Sequence, residues 1–288
     1  MLFLQVTLNG ILLGSLYACI AIGFSLVWGV LNVINLMHGT FIVLGSYLAW
    51  GAYNALGMAP WTSLLIAAPV YFFLGYAIQR GVLNRVIAAP VLVTLTLTFG
   101  LDLMLNNAML YFLKADYRQL VLEPALGSLS VGPLVVPVDR LVAMGLALLL
   151  TMTLYMILRR SRVGRAIVAV RLDRDAARLM GVDVPSIYAT AFGLGAAMAG
   201  CAGVLLSMVF PISPIASGGY LGKAFVVCVL GGLGSVPGAL VGGLFLGLVE
   251  SFGSVAFGPE HAVTLSFGLL ILFLVFRPQG LLGKRGFE

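Results

Sequence analysis

RLDRDAARLMG, residues 171–181, is a run of charge in a chain that otherwise has little. Only 9% of the 288 residues are charged, where a soluble domain carries about 25%. Of the 26 charged side chains, ten fall in one stretch: Arg159, Arg160, Arg162, Arg165, Arg171, Arg174 and Arg178, with Asp173, Asp175 and Asp183. On either side the sequence is apolar over the ~20 residues that a membrane-crossing helix needs. That contrast decides the fold. With 61% hydrophobic residues and a mean hydropathy of +1.11, the chain reads as an all-α, polytopic transmembrane bundle. The 36 glycines fit that reading, because small residues let helices approach closely where lipid supplies no hydrophobic drive.

Working outward from the charged run, apolar stretches suggest about eight spans in one domain over residues 1–288. They lie near 4–28, 32–53, 61–80, 91–113, 140–158 and 187–209, with a broken pair within 220–252 and a last span at 261–276. GGLGSVPG, residues 231–238, is too rich in Gly and Pro for a continuous helix, and the limb before it is short enough to be re-entrant. Such backbone is tolerated at membrane depth only beside protein or water.

Basic residues orient the bundle. Arg80 and Arg85, the 159–178 cluster, and Arg277 with Lys284 and Arg285 should share the cytoplasmic side. The N-terminus is then external and the C-terminus cytoplasmic in a multi-pass membrane protein. Residues 159–186 form a cytoplasmic loop, and 114–139 an external one that makes an ordered cap. Residues 1–79 carry no Lys, Arg, Asp or Glu, so the first two spans are oriented only through the third. MLFLQVTLNG lacks the basic start of a cleaved signal. Cys19, Cys201 and Cys228 fall in apolar segments and read as buried small hydrophobes rather than disulfide partners. The net charge of +6 is clustered, an orientation signal rather than a nucleic-acid footprint.

Within the charged run, Asp173 suits an N-cap and Asp175 a first turn, while Gly181 suits a left-handed end. Ala176, Leu179 and Met180 then share one face at helical spacing. The arginines at 159–165 need no more explanation than a topology anchor. An apolar face rimmed by charge, on a loop outside the membrane, suits docking to a soluble partner instead.

Inside the membrane, Thr94, Thr98, Asp102 and Asn106 recur every fourth residue on one helix. An acid at that depth costs about 2.5–3.5 kcal/mol on insertion scales and turns toward a cavity or a partner. The stripe is therefore either helix–helix glue or a lining of a path. Asn32, Asn35 and His38, in NVINLMHG, suggest an interrupted helix, as caps of the break or as path residues. Glu250 lies late in its helix and reads as snorkelling to the external interface. GYLGKA, residues 219–224, hints at a phosphate loop but lacks the glycine spacing and the Ser or Thr for Mg²⁺.

GRAIVAVRLDRDAARLMGVDVPSIYATAFGLGAAMAGCAGVLL around the charged run resembles the cytoplasmic loop and next span of branched-chain amino acid ABC transporter permeases. So do residues 9–49, 218–251 and the tail FRPQGLLGK at 276–284. The short N-terminus looks most like the first, H-type, subunit. The resemblance implies an importer. Two homologous permeases, here expected as a hetero-dimer, form the path, a periplasmic binding protein delivers a branched-chain or related hydrophobic amino acid, and ATPase subunits drive it. It makes Arg171, Asp173, Arg174, Ala176, Arg178, Leu179, Met180 and Gly181 the ATPase-coupling helix. No cofactor or metal is expected in this chain, since ATP and Mg belong to the ATPase, and no nucleic-acid partner. It sets the break at 32–38 and the GGLGSVPG break beside the path. A free-standing channel or carrier is the alternative, but it needs no apolar docking face. A membrane-embedded enzyme lacks support, with two distant histidines and no HExxH or paired acids.

Overall fold

The computed structural model describes residues 2–87, 89–121, 127–132, 134–277 and 279–282. Among the described residues eleven α-helices run α1 Leu2–Leu31, α2 His38–Leu56, α3 Leu64–Gly81, α4 Val91–Leu113, α5 Val138–Arg160, α6 Arg162–Leu172, α7 Arg174–Leu179, α8 Val184–Ser207, α9 Ser217–Gly231, α10 Val236–Phe257 and α11 Ala262–Phe276. Strands β1 Ser128–Val131 and β2 Leu134–Pro137 pair antiparallel, Ser128 opposite Pro137. Among the described residues, eight helical segments are long and apolar enough to cross a membrane. The chain is a polytopic helical membrane bundle.

Burial sorts the helices. In the most apolar window of α1, 89% of residues are inside the protein, and in α8 83%; in α4, and in the segment Pro259–Phe276 that contains α11, it is 11%. A helix apolar all round belongs at a core, so α1 and α8 form the centre and α4 and α11 the rim. Backbones meet closely at the centre. A side chain at Gly14 of α1 would fall 2.7 Å from the Cα of Leu244, and one at Gly243 of α10 would overlap Ala18. Gly75 of α3 sits likewise against Ala196 of α8.

Two faces follow from long-range contacts. The Gln5 amide and the Val135 backbone exchange hydrogen bonds at 2.9 and 3.2 Å, joining the start of α1 to the hairpin. Arg118 bridges to Ile212 and stacks 4.2 Å over Trp50, adding the ends of α2, α4 and α8 to this hairpin face. On the opposite, basic face, Asn84 after α3 bonds to the Pro185 carbonyl at the start of α8. There Leu281 and Leu282 donate to the Leu230 and Gly231 carbonyls at the end of α9. Lys284 and Arg285, two of the orienting cations, lie outside the described residues, as do 122–126 and Pro133 of the 114–139 loop and Pro278 of the tail motif.

Two expected spans are corrected. The segment 32–53 is not a helix throughout: residues 32–37 are non-helical and α2 begins at His38. His38 bonds to the carbonyl of Ile20, well inside α1, so the chain turns back into the bundle before α2 starts. Asn32 takes the left-handed conformation that reversal needs, φ +53°. The limb before GGLGSVPG is longer than expected. With the turn at Pro214–Ala216 it runs Pro214–Gly231, long enough to cross. The break itself holds: Gly232 and Gly234 have positive φ, and Ser235 caps α10 through Gly238 N–H.

Candidate functional site

The Asp173 carboxylate accepts from the backbone N–H of Asp175 at 2.9 Å and of Ala176 at 3.0 Å, and so caps α7. Gly181 closes it at φ +83°. Leu179 is 88% and Met180 84% exposed, with Arg174, Ala176 and Arg178 exposed around them. Ala177 turns inward and fastens α7 to the bundle. Leu172 at the end of α6, just before the cap of α7, is exposed as well, at 76%; its apolar character in a charged run was the signal for it.

Arg171 does not join that surface. Its guanidinium donates to the Gly234 carbonyl at 2.7 Å, beside the close approach of Gly29 to Gly234. Half-burial pulls its pKa below the usual guanidinium value, through desolvation. Arg171 thus ties α6 to the α9–α10 break and the end of α1, because an arginine at the inner edge of a short helix satisfies a carbonyl that the break leaves free. Arg171→Met is expected to lower the thermal unfolding midpoint of the purified chain, since a charged hydrogen bond of this kind contributes about 1.5–3 kcal/mol. Arg174→Met, on the exposed side, should leave the midpoint unchanged.

The polar stripe of α4 faces inward. Thr98, fully buried, donates to the Ile34 carbonyl of the 32–37 link at 3.1 Å. Thr40 of α2 donates to the Asp102 carboxylate, and the Asn106 amide donates to Ser217 at the start of α9 at 2.8 Å. Thr94 bonds to the Val91 carbonyl of its own helix. One side of α4 therefore holds the broken element and the first turn of α9, and three side chains at four-residue spacing meet three separate segments. Of the interrupted segment, Asn35 is buried with its Oδ1 accepting from Met37 N–H at 3.1 Å, and His38 is buried against Ile20 and Phe24. Asn32 is exposed. Asn35 and His38 hold the break; Asn32 makes the turn.

A second polar group lies where the sequence reading expected none. Glu250 does not snorkel. It is 3% exposed, about two thirds along the 22-residue α10. Its carboxylate accepts from Tyr17 Oη of α1 at 2.6 Å, from Lys223 Nζ of α9 at 3.0 Å, and from Ser266 Oγ of α11. Lys223 also donates to Tyr17 Oη at 2.6 Å. Its partners lie at positions 17, 223 and 266, at separations no periodicity reveals. GYLGKA is therefore part of α9, with no loop to cradle a phosphate, and its lysine is already engaged.

A bundle with broken interior helices and a capped, apolar-tipped helix outside its spans is the architecture of a membrane transport subunit. Residues 6–275 match the family described as the branched-chain amino acid transport system permease component. The chain is 36% identical to the high-affinity branched-chain amino acid transport system permease protein BraD of Pseudomonas aeruginosa, over 98% of this chain and 96% of that one. It is 34% identical to LivH of Escherichia coli K12 over the same shares. It is also 29% identical to LivM of that organism, over 94% of this chain and 68% of LivM. No solved structure matches it. The chain belongs to the branched-chain amino acid permease family.

Proposed function

We propose that this chain is the H-type permease subunit of an ABC importer in a bacterial inner membrane and forms half of a path for branched-chain or related hydrophobic amino acids. The basic face is cytoplasmic, and the hairpin face receives substrate from a periplasmic binding protein. A second, homologous permease completes the path, and separate ATPase subunits supply ATP and Mg chemistry. The observation that carries this reading is the exposed Leu172, Leu179 and Met180 surface on the basic face. Apolar side chains so exposed outside the membrane call for a partner, and their charged rim suits a polar soluble protein. The family membership and the likeness to both LivH and LivM support a paired permease.

The amino acid is a zwitterion with an apolar side chain. A path that need only pass it along requires scattered hydrogen-bonding groups, not a tight pocket. Thr40, Asp102 and Asn106 offer such groups where α4 meets α2 and α9. Asp102→Asn keeps an acceptor for Thr40. It is expected to leave the complex assembled and to lower leucine uptake by about tenfold, the effect of losing one charged hydrogen bond. Loss of the assembled complex instead would make Asp102 glue alone.

The overall test is to tag this chain in its host, solubilise it gently and identify what co-purifies. An ATPase and a second permease in stoichiometric amounts are expected. This chain recovered alone, and still passing a solute in vesicles, would establish a free-standing channel or carrier.

A further inference from the structure

The Tyr17, Lys223, Glu250 and Ser266 group joins α1, α9, α10 and α11, and it is unequally covered. The Glu250 side chain is 4% exposed and the Lys223 side chain 21%. Two hydrogen bonds, to Tyr17 and Glu250, occupy two of the three ammonium N–H groups, and the ammonium lies 4.4 Å over the Tyr17 ring. The acid is sealed, while the lysine side chain is only partly covered. An ammonium turned to hydrocarbon at a bilayer centre costs about 2.5–3.5 kcal/mol, so the third N–H of Lys223 calls for water or a polar partner, not lipid.

The neighbouring surface of α9 is open as well. Gly219 lies four residues before Lys223 on the same face and is exposed, with no atom within 4 Å of where a Cβ would stand. Gly218 is equally open. Phe267 of α11 covers Gly222 with an apolar ring. Uncovered glycines thus lie one turn before an anchored cation on α9. An anchored ammonium with one N–H to spare suits a carboxylate.

We propose that Lys223 is a carboxylate-binding cation on the translocation path and engages the α-carboxylate of the passing amino acid while Tyr17 and Glu250 hold it in place. This inference rests on the importer reading. It puts a charged contact on α9, apart from the hydrogen-bonding stripe of α4, and gives GYLGKA a role: Gly219 leaves the helix surface open one turn before the lysine that charges it.

The test uses the assembled transporter in proteoliposomes, with radiolabelled leucine as the probe. Lys223→Met alone strands Glu250, so the deciding variant is Lys223→Met with Glu250→Gln, in which the pair is neutral. If the pair were only a brace, this variant would restore uptake. The expected result is an assembled complex, read by co-purification, with leucine uptake lowered by about tenfold or more, the loss of one ammonium–carboxylate contact. Uptake within about twofold of wild type overturns the inference. Loss of the second permease from the complex also overturns it, by assigning Lys223 to an acid on that subunit.

Gly219→Cys gives an independent measurement with the ion pair in place. The native Cys19, Cys201 and Cys228 are buried, so background is low. In the assembled complex this cysteine is expected to react with a membrane-impermeant anionic thiosulfonate, and more slowly during leucine transport. An unreactive cysteine overturns the inference. A wild-type complex that takes up no leucine refutes the importer reading itself, and the labelling result stands apart from it.

Discussion

Leu179→Glu is expected to detach the ATPase while leaving the membrane fold untouched. Leu179 is 88% exposed and caps nothing, so the change costs the isolated bundle little. Once docked, the same side chain is buried. Burying a leucine contributes about 1.5–3 kcal/mol, and a carboxylate sent into an apolar pocket adds a desolvation cost of similar size. Together they weaken attachment by well over tenfold. Co-purification of the ATPase and substrate-stimulated hydrolysis should both fall by that factor, with the thermal midpoint of the chain unchanged. Arg178→Glu, on the rim, should act in the same direction and less strongly. Asp173→Ala removes a cap that contributes about 1 kcal/mol and should loosen docking only in part. Normal ATPase retention in Leu179→Glu would mean that the exposed surface of α7 serves something else.

The features legible in the sequence were those set by near neighbours. Asp173, Leu179, Met180 and Gly181 lie within nine residues, and local rules for caps and helical faces suffice to read a short helix with an apolar tip. The four-residue spacing of Thr98, Asp102 and Asn106 marked one face of one helix, and NVINLMHG marked a break. What those faces meet was not legible. The partner of Thr98 is a carbonyl at 34, that of Asn106 a hydroxyl at 217, and that of Glu250 a lysine at 223 with a tyrosine at 17. Position along a helix suggested an interfacial Glu250, but depth and burial depend on which helices stand beside it, and α1, α9 and α11 enclose it. Arg171 was misread for a related reason. By charge it belonged with its neighbours on the docking helix; by geometry it precedes the α6–α7 bend and points back to Gly234. The second span failed as a continuous helix because apolar composition does not distinguish a spanning helix from a non-helical return followed by a shorter one.

That return places an unusual demand on α2, and the second large effect is expected there. Entering from a non-helical link, α2 is held against the core where it crosses α8. Ser46 Oγ donates to the Gly203 carbonyl at 2.7 Å, and a Cβ at Gly203 would overlap the Ile42 carbonyl. Reciprocally, a Cβ at Gly45 would overlap the backbone of Gly200. The obstacle in each case is main chain, which has no rotamer to move aside, so relief requires the two helices to separate. Separation gives up the close backbone packing that holds helices together in a bilayer. Overpacking one well-filled core site already costs about 1–3 kcal/mol, and prying α2 away from α8 exceeds that. Gly203→Val is therefore expected to reduce folded, monodisperse protein recovered from membranes by about tenfold or more, with Gly45→Val close behind. Gly51→Val is the control: it lies in the same α2, and nothing stands within 4 Å of its Cβ position. Its yield should stay within about twofold of wild type, the small change expected of an unobstructed site. Equal loss at Gly51 would make α2 intolerant of valine anywhere. Loss at Gly45 and Gly203 alone locates the constraint at the crossing that seats the broken helix beside Asp102.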